Sequence, residues 1–505
     1  MKRSLYTLMV LLLATCALTS LASAQDAVLE LTLKEAIRRG VEKNLDVRAE
    51  LYNPAQFEAE INRNRAIYDP LFSAQTFYNG TTTSSSETVG IGNNGNQSFQ
   101  FDSSLSQLFQ SGATASIGFN NAYSSNNTGF SGSSSVPHNY WLSSLSLIVS
   151  QPLLKNFGRE NTEVNINVSR LAKSASIDHF NSRLEGIVAQ VRNEYFNLYS
   201  LRKQLEVKKV SLELARKILT ETKVRVESGV LPAMETLNAE FGATTREKEL
   251  IDVEKAVSDQ MDVLRLLLQI KGNGDIVTVD LPGRDPFSVD EDHALKRAMS
   301  RPDIMEQMRN LEISELQTRV FGNRTRPDLS LTGSASLTGF DSSYPRNMEK
   351  VGTIDTPSWG IGLIFTYPLG NNAAENDLRK SRLKSEQTKL QIRSLEEGAV
   401  KDVKAAIRSI STGYKQLDVS DRGRAYAEER LKAFIRKNEV GLATTKDVMD
   451  VETDLVTAKN NQILAAVNYT NAITSFWQVT GELLEREGIK VNDTDADALY
   501  RGTAL

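Results

Sequence analysis

The residues able to do chemistry in this chain are few and scattered. Asp447 and Asp450 stand three apart just after Gly441, a spacing that puts both carboxylates on one face of a helix. Such a pair can concentrate negative charge, or it can offset the dipole of a helix start; on spacing alone the second use is preferred. His138, His179 and His293 are isolated and have no paired metal spacing, so surface or packing roles are expected. Gly90-Ile91-Gly92-Asn93-Asn94-Gly95 matches G-x-G-x-x-G, but it lies in Asn/Ser-rich text rather than between a strand and a helix, and reads as loop. Trp141 and Trp359 lie beside strand-like text and suit either a membrane edge or a core, and Trp477 is interfacial or core. No nucleophile-base set is apparent, so the chain is not read as an enzyme, and no cofactor or metal site is assigned.

The text that positions these residues is written twice. Glu227-Ser228-Gly229-Val230-Leu231, followed by Glu235, Leu237, Asn238 and Glu240, returns as Glu439-Val440-Gly441-Leu442, followed by Asp447, Met449, Asp450 and Glu452. Gly229 to Gly441, Glu235 to Asp447 and Glu240 to Glu452 share a shift of 212. Leu147 to Leu153 returns as Leu363 to Leu369 at a shift of 216, and Gln269 and Gly272 return as Gln478 and Gly481 at 209. Landmarks in one order at a drifting offset mean a duplicated unit far longer than a solenoid repeat. The expected division is a signal peptide at 1–24, a first repeat at 25–272, a joint at 273–286, a second repeat at 287–481 and a peripheral acidic tail at 482–505.

Met1-Lys2-Arg3, the apolar Leu5 to Leu21 and Ala22-Ser23-Ala24 have the form of a cleaved signal; acylation at Cys16 is the alternative, which Thr15 before it fits poorly. Cys16 is the only cysteine, so the mature chain is expected to hold no disulfide and no cysteine metal site. The formal charge of -4 gives no support to nucleic acid as a partner. No later apolar run approaches the roughly 20 residues of a spanning helix, so a membrane-spanning form would have to be a β-barrel.

Leu31 to Ile37 opens a helix, with Thr32 as N-cap and Glu35 expected to complete a capping box; the second copy opens around Asp292 to Met299. Alternating text at Phe72, Ala74, Thr76 and Tyr78 and at Leu145, Leu147 and Val149 predicts strands, as do Leu329, Leu331 and Ile361, Leu363, Phe365. Each copy contributes at least one strand pair, and the Ser/Gly/Asn-rich stretch from Asn79 to Asn139 adds either a hairpin, which is favoured, or a long loop. Val191, Leu198, Leu205, Leu212, Leu219 and Val226 recur every seventh residue, as do Val403, Ile410, Leu417 and Leu431 with an interruption at Arg424. The period implies long helices supercoiled against neighbours, turning back at Gly229 and Gly441. Four strands cannot close a membrane barrel, whereas twelve from three chains can.

These residues resemble the TolC family of outer-membrane efflux and secretion ducts. The resemblance rests on Leu31 to Ile37, on the strand exits Gln151-Pro152-Leu153 and Tyr367-Pro368-Leu369, and on the two glycine turns, above all Val440-Gly441 with Asp447-Val448-Met449-Asp450. It implies an α+β fold: a trimeric β-barrel in the outer membrane joined to an α-helical barrel extending into the periplasm. The function implied is passive export through a homotrimer, as the exit duct of a tripartite efflux or type I secretion system. A structural coiled-coil protein of the cell envelope is the alternative. The implied partners are two further copies of the chain, a periplasmic adaptor, an inner-membrane pump and outer-membrane lipid. Asp447 and Asp450 would form acidic rings at the periplasmic entrance, and Gly229, Val230, Leu231, Val440, Gly441 and Leu442 would be the tip turns that dock the adaptor. Asn438 and Ala443 stand where some members carry a tyrosine and an arginine for a closing latch, so that network does not carry over. Asn44-Leu45 likewise replaces the family's common asparagine-proline pair.

Overall fold

The computed structural model describes residues 28–87, 90–127, 139–490 and 493–503; the expected signal segment 1–24, with Cys16, and also His138 lie outside them. In chain order the strands are β1 Leu29–Leu31, β2 Leu71–Glu87, β3 Gly90–Leu108, β4 Thr114–Asn127, β5 Asn139–Pro152, β6 Ile276–Thr278, β7 Asp328–Asp341 and β8 Pro357–Thr366. The helices of eight residues or more are α1 Leu33–Lys43, α2 Tyr52–Arg65, α3 Val164–Glu227, α4 Ala233–Leu268, α5 Glu291–Ala298, α6 Pro302–Arg324, α7 Tyr344–Gly352, α8 Asn372–Glu439, α9 Thr445–Val479 and α10 Asp493–Gly502. The chain divides into a sheet unit, 52–177 with 305–394 and 493–505, and a helical unit, 1–51 with 178–304 and 395–492.

In the sheet unit β2, β3, β4, β5, β7 and β8 form one antiparallel sheet in that spatial order. The hairpin favoured for the stretch from 79 to 139 is β3 and β4, which bring the four strands counted for the barrel to six. Phe99, Phe101 and Leu105 of β3 and Ala115, Ile117 and Phe119 of β4 alternate with residues of a second face that is rich in hydroxyls and amides. Phe72, Leu105, Ile117, Leu147, Ala335 and Trp359 lie side by side on one face. The next rung, Ser73, Ser104, Gly118, Ser146, Ser336 and Ser358, lies on the other. The glycine motif at 90–95 opens β3, paired with β2, and so is strand rather than loop.

Two local devices hold this sheet. The β3–β4 turn uses Gly112 at φ 87°, and a side chain there would meet the Asn156 carbonyl at 2.7 Å. The turn is clasped to the exit of β5: the Gly158 amide donates to the Ser111 carbonyl at 3.0 Å and Ser111 Oγ donates to Gln151 Oε1 at 2.8 Å. On the apolar face, α7 packs against β5 and β7 where Gly339 leaves room, and Asn347 Nδ2 donates to Ser143 Oγ, which donates to Asn121 Oδ1, both at 2.5 Å. Trp141 stacks between Tyr123 and Tyr344, at centroid distances of 4.9 and 4.8 Å. The expected peripheral tail is also corrected. In this unit Tyr500 of α10 accepts from Asn62 at 3.1 Å, and Lys173 bridges Glu58 and Asp497 at 2.8 and 2.6 Å.

The helical unit packs around Leu31, Ile37, Leu184, Val188, Leu264, Leu268 and, again within the expected tail, Leu483. β1 pairs in parallel with β6, and Tyr195 locks the pair: its hydroxyl donates to the Leu31 carbonyl at 2.8 Å and accepts from the Val279 and Asp280 amides at 3.0 Å. Burial pushes that phenol up to about 12. Thr32 caps α1 by accepting from the Glu35 amide at 3.3 Å, but the expected box stays half made. The Glu35 carboxylate turns instead to Arg38 and Arg39, whose hydrogen bonds hold it down to about 2. The heptad positions Val191, Leu198, Leu212, Val403, Ile410, Leu417 and Leu431 are buried, and Arg424 is exposed beside Glu428. No described helix is long and apolar enough to cross a membrane.

Candidate functional site at the helical turns

Both turns lie in the helical unit, and each rests on a glycine in the left-handed region: Gly229 at φ 73° after α3 and Gly441 at φ 77° after α8. At the first, the Val230 and Leu231 amides both donate to the Arg225 carbonyl, at 2.9 and 3.3 Å, and Pro232 caps α4 without any side-chain bond. At the second, the Leu442 amide donates to the Lys437 carbonyl at 2.8 Å. Val230, Val440 and Leu442 stand largely in solvent, while Leu231 is half-buried.

Asp447 completes a capping box with Thr444: its Oδ2 accepts from the Thr444 amide at 2.8 Å and hydroxyl at 2.7 Å, while Thr444 Oγ1 accepts from the Asp447 amide at 3.1 Å. Those bonds, the side-chain one first, hold its carboxyl below the ordinary aspartate value. Asp450, one turn on, is exposed. Within one chain, therefore, the two acids share a helix but not a task.

Asn438 and Ala443, where a latch was not expected to carry over, bond to each other: Asn438 Nδ2 donates to the Ala443 carbonyl at 2.9 Å and braces the second turn. Sequence reasoning missed Arg225, whose Nη1 reaches the Asn438 carbonyl at 3.3 Å and Oδ1 at 3.4 Å, joining the ends of α3 and α8. Beside it lies a cleft of about 120 Å³ lined by Leu214, Ile218, Thr222, Arg225, Asn438 and Val448.

It also missed a buried ion pair deeper in the same helices. Arg246 of α4 donates to Glu452 Oε2 from Nε at 2.8 Å and from Nη2 at 2.5 Å, and to the Met449 carbonyl and Thr453 Oγ1 at 3.0 Å. Ser211 of α3 donates to the other carboxylate oxygen at 2.5 Å. Gly242 makes the approach possible, since a Cβ there would lie 2.5 Å from Met449 Sδ. The recurrence of Glu240 as Glu452 was the available signal, but nothing local names Arg246 as its partner. The arrangement is one of exposed turns and internal ties.

Comparison with known proteins agrees with this reading of the fold. The family model described as "Outer membrane efflux protein" matches residues 296–482. The outer membrane protein TolC of Salmonella enteritidis is 22% identical over 327 residues, which are 61% of this chain and 63% of that protein, so the match spans just under two thirds of the relative's length. Among solved structures, CusC superposes with a TM-score of 0.66 at 14% identity, covering 91% of this chain and 95% of CusC. The Campylobacter jejuni CmeC outer membrane channel gives 0.64 at 13%, covering 93% of this chain and 89% of CmeC. Residues 296–482 thus carry the signature of the outer membrane efflux protein family, and the chain is similar to TolC and has the fold of such channels along most of its length.

Proposed function

We propose that this protein is the outer-membrane exit duct of a tripartite efflux or type I secretion system, a passive homotrimeric channel extending into the periplasm. The observation that carries the reading is the six-stranded sheet, apolar on one face and hydroxylic on the other. Such alternation suits a wall between lipid and a watery lumen. Every strand has at least 10 residues, enough to cross the hydrocarbon layer when tilted. A structural coiled coil of the envelope would have no use for that outward apolar face.

In this reading the repeats at 25–272 and 287–481 each supply part of the β-barrel and one helical hairpin of an α-helical barrel. The exposed Val230, Val440 and Leu442, with Gly229, Leu231 and Gly441, dock a periplasmic adaptor, and an inner-membrane pump supplies the energy. Threefold repetition gathers Asp450 and the cap-forming Asp447 at the entrance, where their charge favours cations. The protein itself performs no catalytic step.

Membrane fractionation, followed by light scattering of the detergent-extracted protein, tests the reading. An outer-membrane trimer that conducts ions in planar bilayers is expected, with Asp447→Ala plus Asp450→Ala lowering cation selectivity. A soluble monomer or dimer would overturn it.

A further inference from the structure

The two outermost strands of the sheet, β2 and β8, each have a neighbour on one side only, and among the described residues no strand pairs with the other side. A bare edge of this length is a template for another strand. We propose that β2 of one chain pairs antiparallel with β8 of the next copy in a fixed register, Leu71 opposite Thr366, so that three copies close a barrel of eighteen strands, not twelve. The inference rests on the trimeric channel reading and adds the strand number, the seam and its register.

The stagger of the strands carries the argument. Straight across the sheet, Leu71 faces Ser106, then Ser116, Ile148, Ser334 and Gly360. The strand ends on the side of Leu71 drift steadily away from that line. β3 runs on to Leu108, β4 starts at Thr114, β5 ends at Pro152, β7 starts at Asp328 and β8 ends at Thr366. The offset therefore grows from two residues at β3 to six at β8. Strands that tilt within a membrane must end in such a staircase, because the membrane plane cuts them obliquely. Setting Leu71 of the next copy level with Thr366 carries the six-residue step around the ring, one residue per strand. A shear equal to the strand number corresponds to a tilt of about 36°, as in the eight-stranded barrel of shear eight, and spanning barrels tilt by about 35–45°.

The edges also fit side chain to side chain in this register. Tyr78 and Trp359, 69% and 81% exposed within one chain, come to lie opposite each other on the apolar face, with Ala74 opposite Leu363. On the hydroxylic face Phe77, an exposed aromatic among serines and amides, comes opposite Gly360, whose missing side chain leaves room for the ring. A slip of one residue would turn apolar side chains of one edge against the hydroxylic face of the other. The six strands alternate in direction from β2 to β8, so the seam is antiparallel like every pair inside the sheet. Since barrel diameter grows roughly linearly with strand number, the outer-membrane lumen would be about 1.5 times as wide as one of twelve strands.

The test has two arms on the detergent-extracted full protein. In single-particle images of the unsubstituted protein viewed down the symmetry axis, eighteen strands are expected. In the second arm Ala74→Cys with Leu363→Cys, oxidised, is expected to give covalent dimers and trimers in denaturing gels. Ala74→Cys with Ile364→Cys, one residue out of register and on opposite faces, should give roughly tenfold less. A threefold barrel of twelve strands with the β2–β3 hairpin outside the wall, or equal cross-linking by both cysteine pairs, would overturn the inference and leave the channel reading standing. A soluble monomer would overturn the channel reading and the inference with it.

Discussion

Glu240 and Glu452 occupy matching places after the two helical turns, five residues beyond the matching acids Glu235 and Asp447. Their surroundings have nothing in common. Glu240 sits half in solvent and meets Lys223 at 2.8 Å, whereas Glu452 is 4% exposed and is held by Arg246 and Ser211. Asp447 closes a capping box; at Glu235 one carboxylate oxygen has no hydrogen-bond partner. A duplicated acid is thus a surface charge in the first hairpin and a structural tie in the second. Matching glycine turns tell nothing about how firmly each is fastened.

The sharpest test of that contrast is a pair of alanine substitutions read by denaturant unfolding in detergent. Glu452→Ala strands the Arg246 guanidinium in the interior and is expected to cost about 3–5 kcal/mol. Glu240→Ala removes a surface pair, with an expected loss below about 1 kcal/mol. Equal losses would break the comparison.

Another buried acid in the helical unit, Glu185, sharpens it from the other side. Burial pushes Glu185 up to about 7, Asp303 adding to the rise and Arg301 opposing it. The folded state therefore binds a proton more readily than the unfolded chain between about 4.5 and 7. Stability from this group is complete below that window and lost as pH rises through it, by on the order of 3 kcal/mol. Glu185→Gln should flatten the melting temperature between pH 5 and pH 8.

Two smaller effects separate the turns themselves. Asn438→Ala removes the brace to Ala443 and one of the two acceptors for Arg225, leaving the backbone carbonyl, and a loss of about 1 kcal/mol is expected, seen as faster hydrogen exchange at the second turn and not the first. Asp447→Ala should lower the melting temperature slightly, and Glu235→Ala should leave it unchanged. The Asp447 contribution is present above the unfolded carboxyl value and fades as pH falls through its lower folded value, so the two variants should converge in acid.

Much of the helical unit was legible because its signals are local. A seven-residue apolar period implies a buried seam, and Gly229 and Gly441 mark turns that need a left-handed residue. The sheet was only half legible. The alternation at Phe72 to Tyr78 marks β2, but β3 mixes sparse aromatics with serine, glutamine and glycine, a composition that suits a hairpin strand and a loop alike. The Arg246–Glu452 tie joins residues 206 apart, a separation at which a single sequence carries no pairing information. The role of Asp447 was half legible: its place near a helix start was visible, but not that Thr444 would engage its carboxylate.

The clasp between Ser111, Gln151 and Gly158 has a mechanical consequence. A tug on the chain just beyond β5 does not fall on that strand alone, since the Gly158 amide and the Gln151 side chain pass part of the force to the β3–β4 turn. Three strands then resist in shear, across many backbone bonds loaded together, where one strand would peel bond by bond. The turn works as a rivet, and the added hairpin is part of the load path rather than trim.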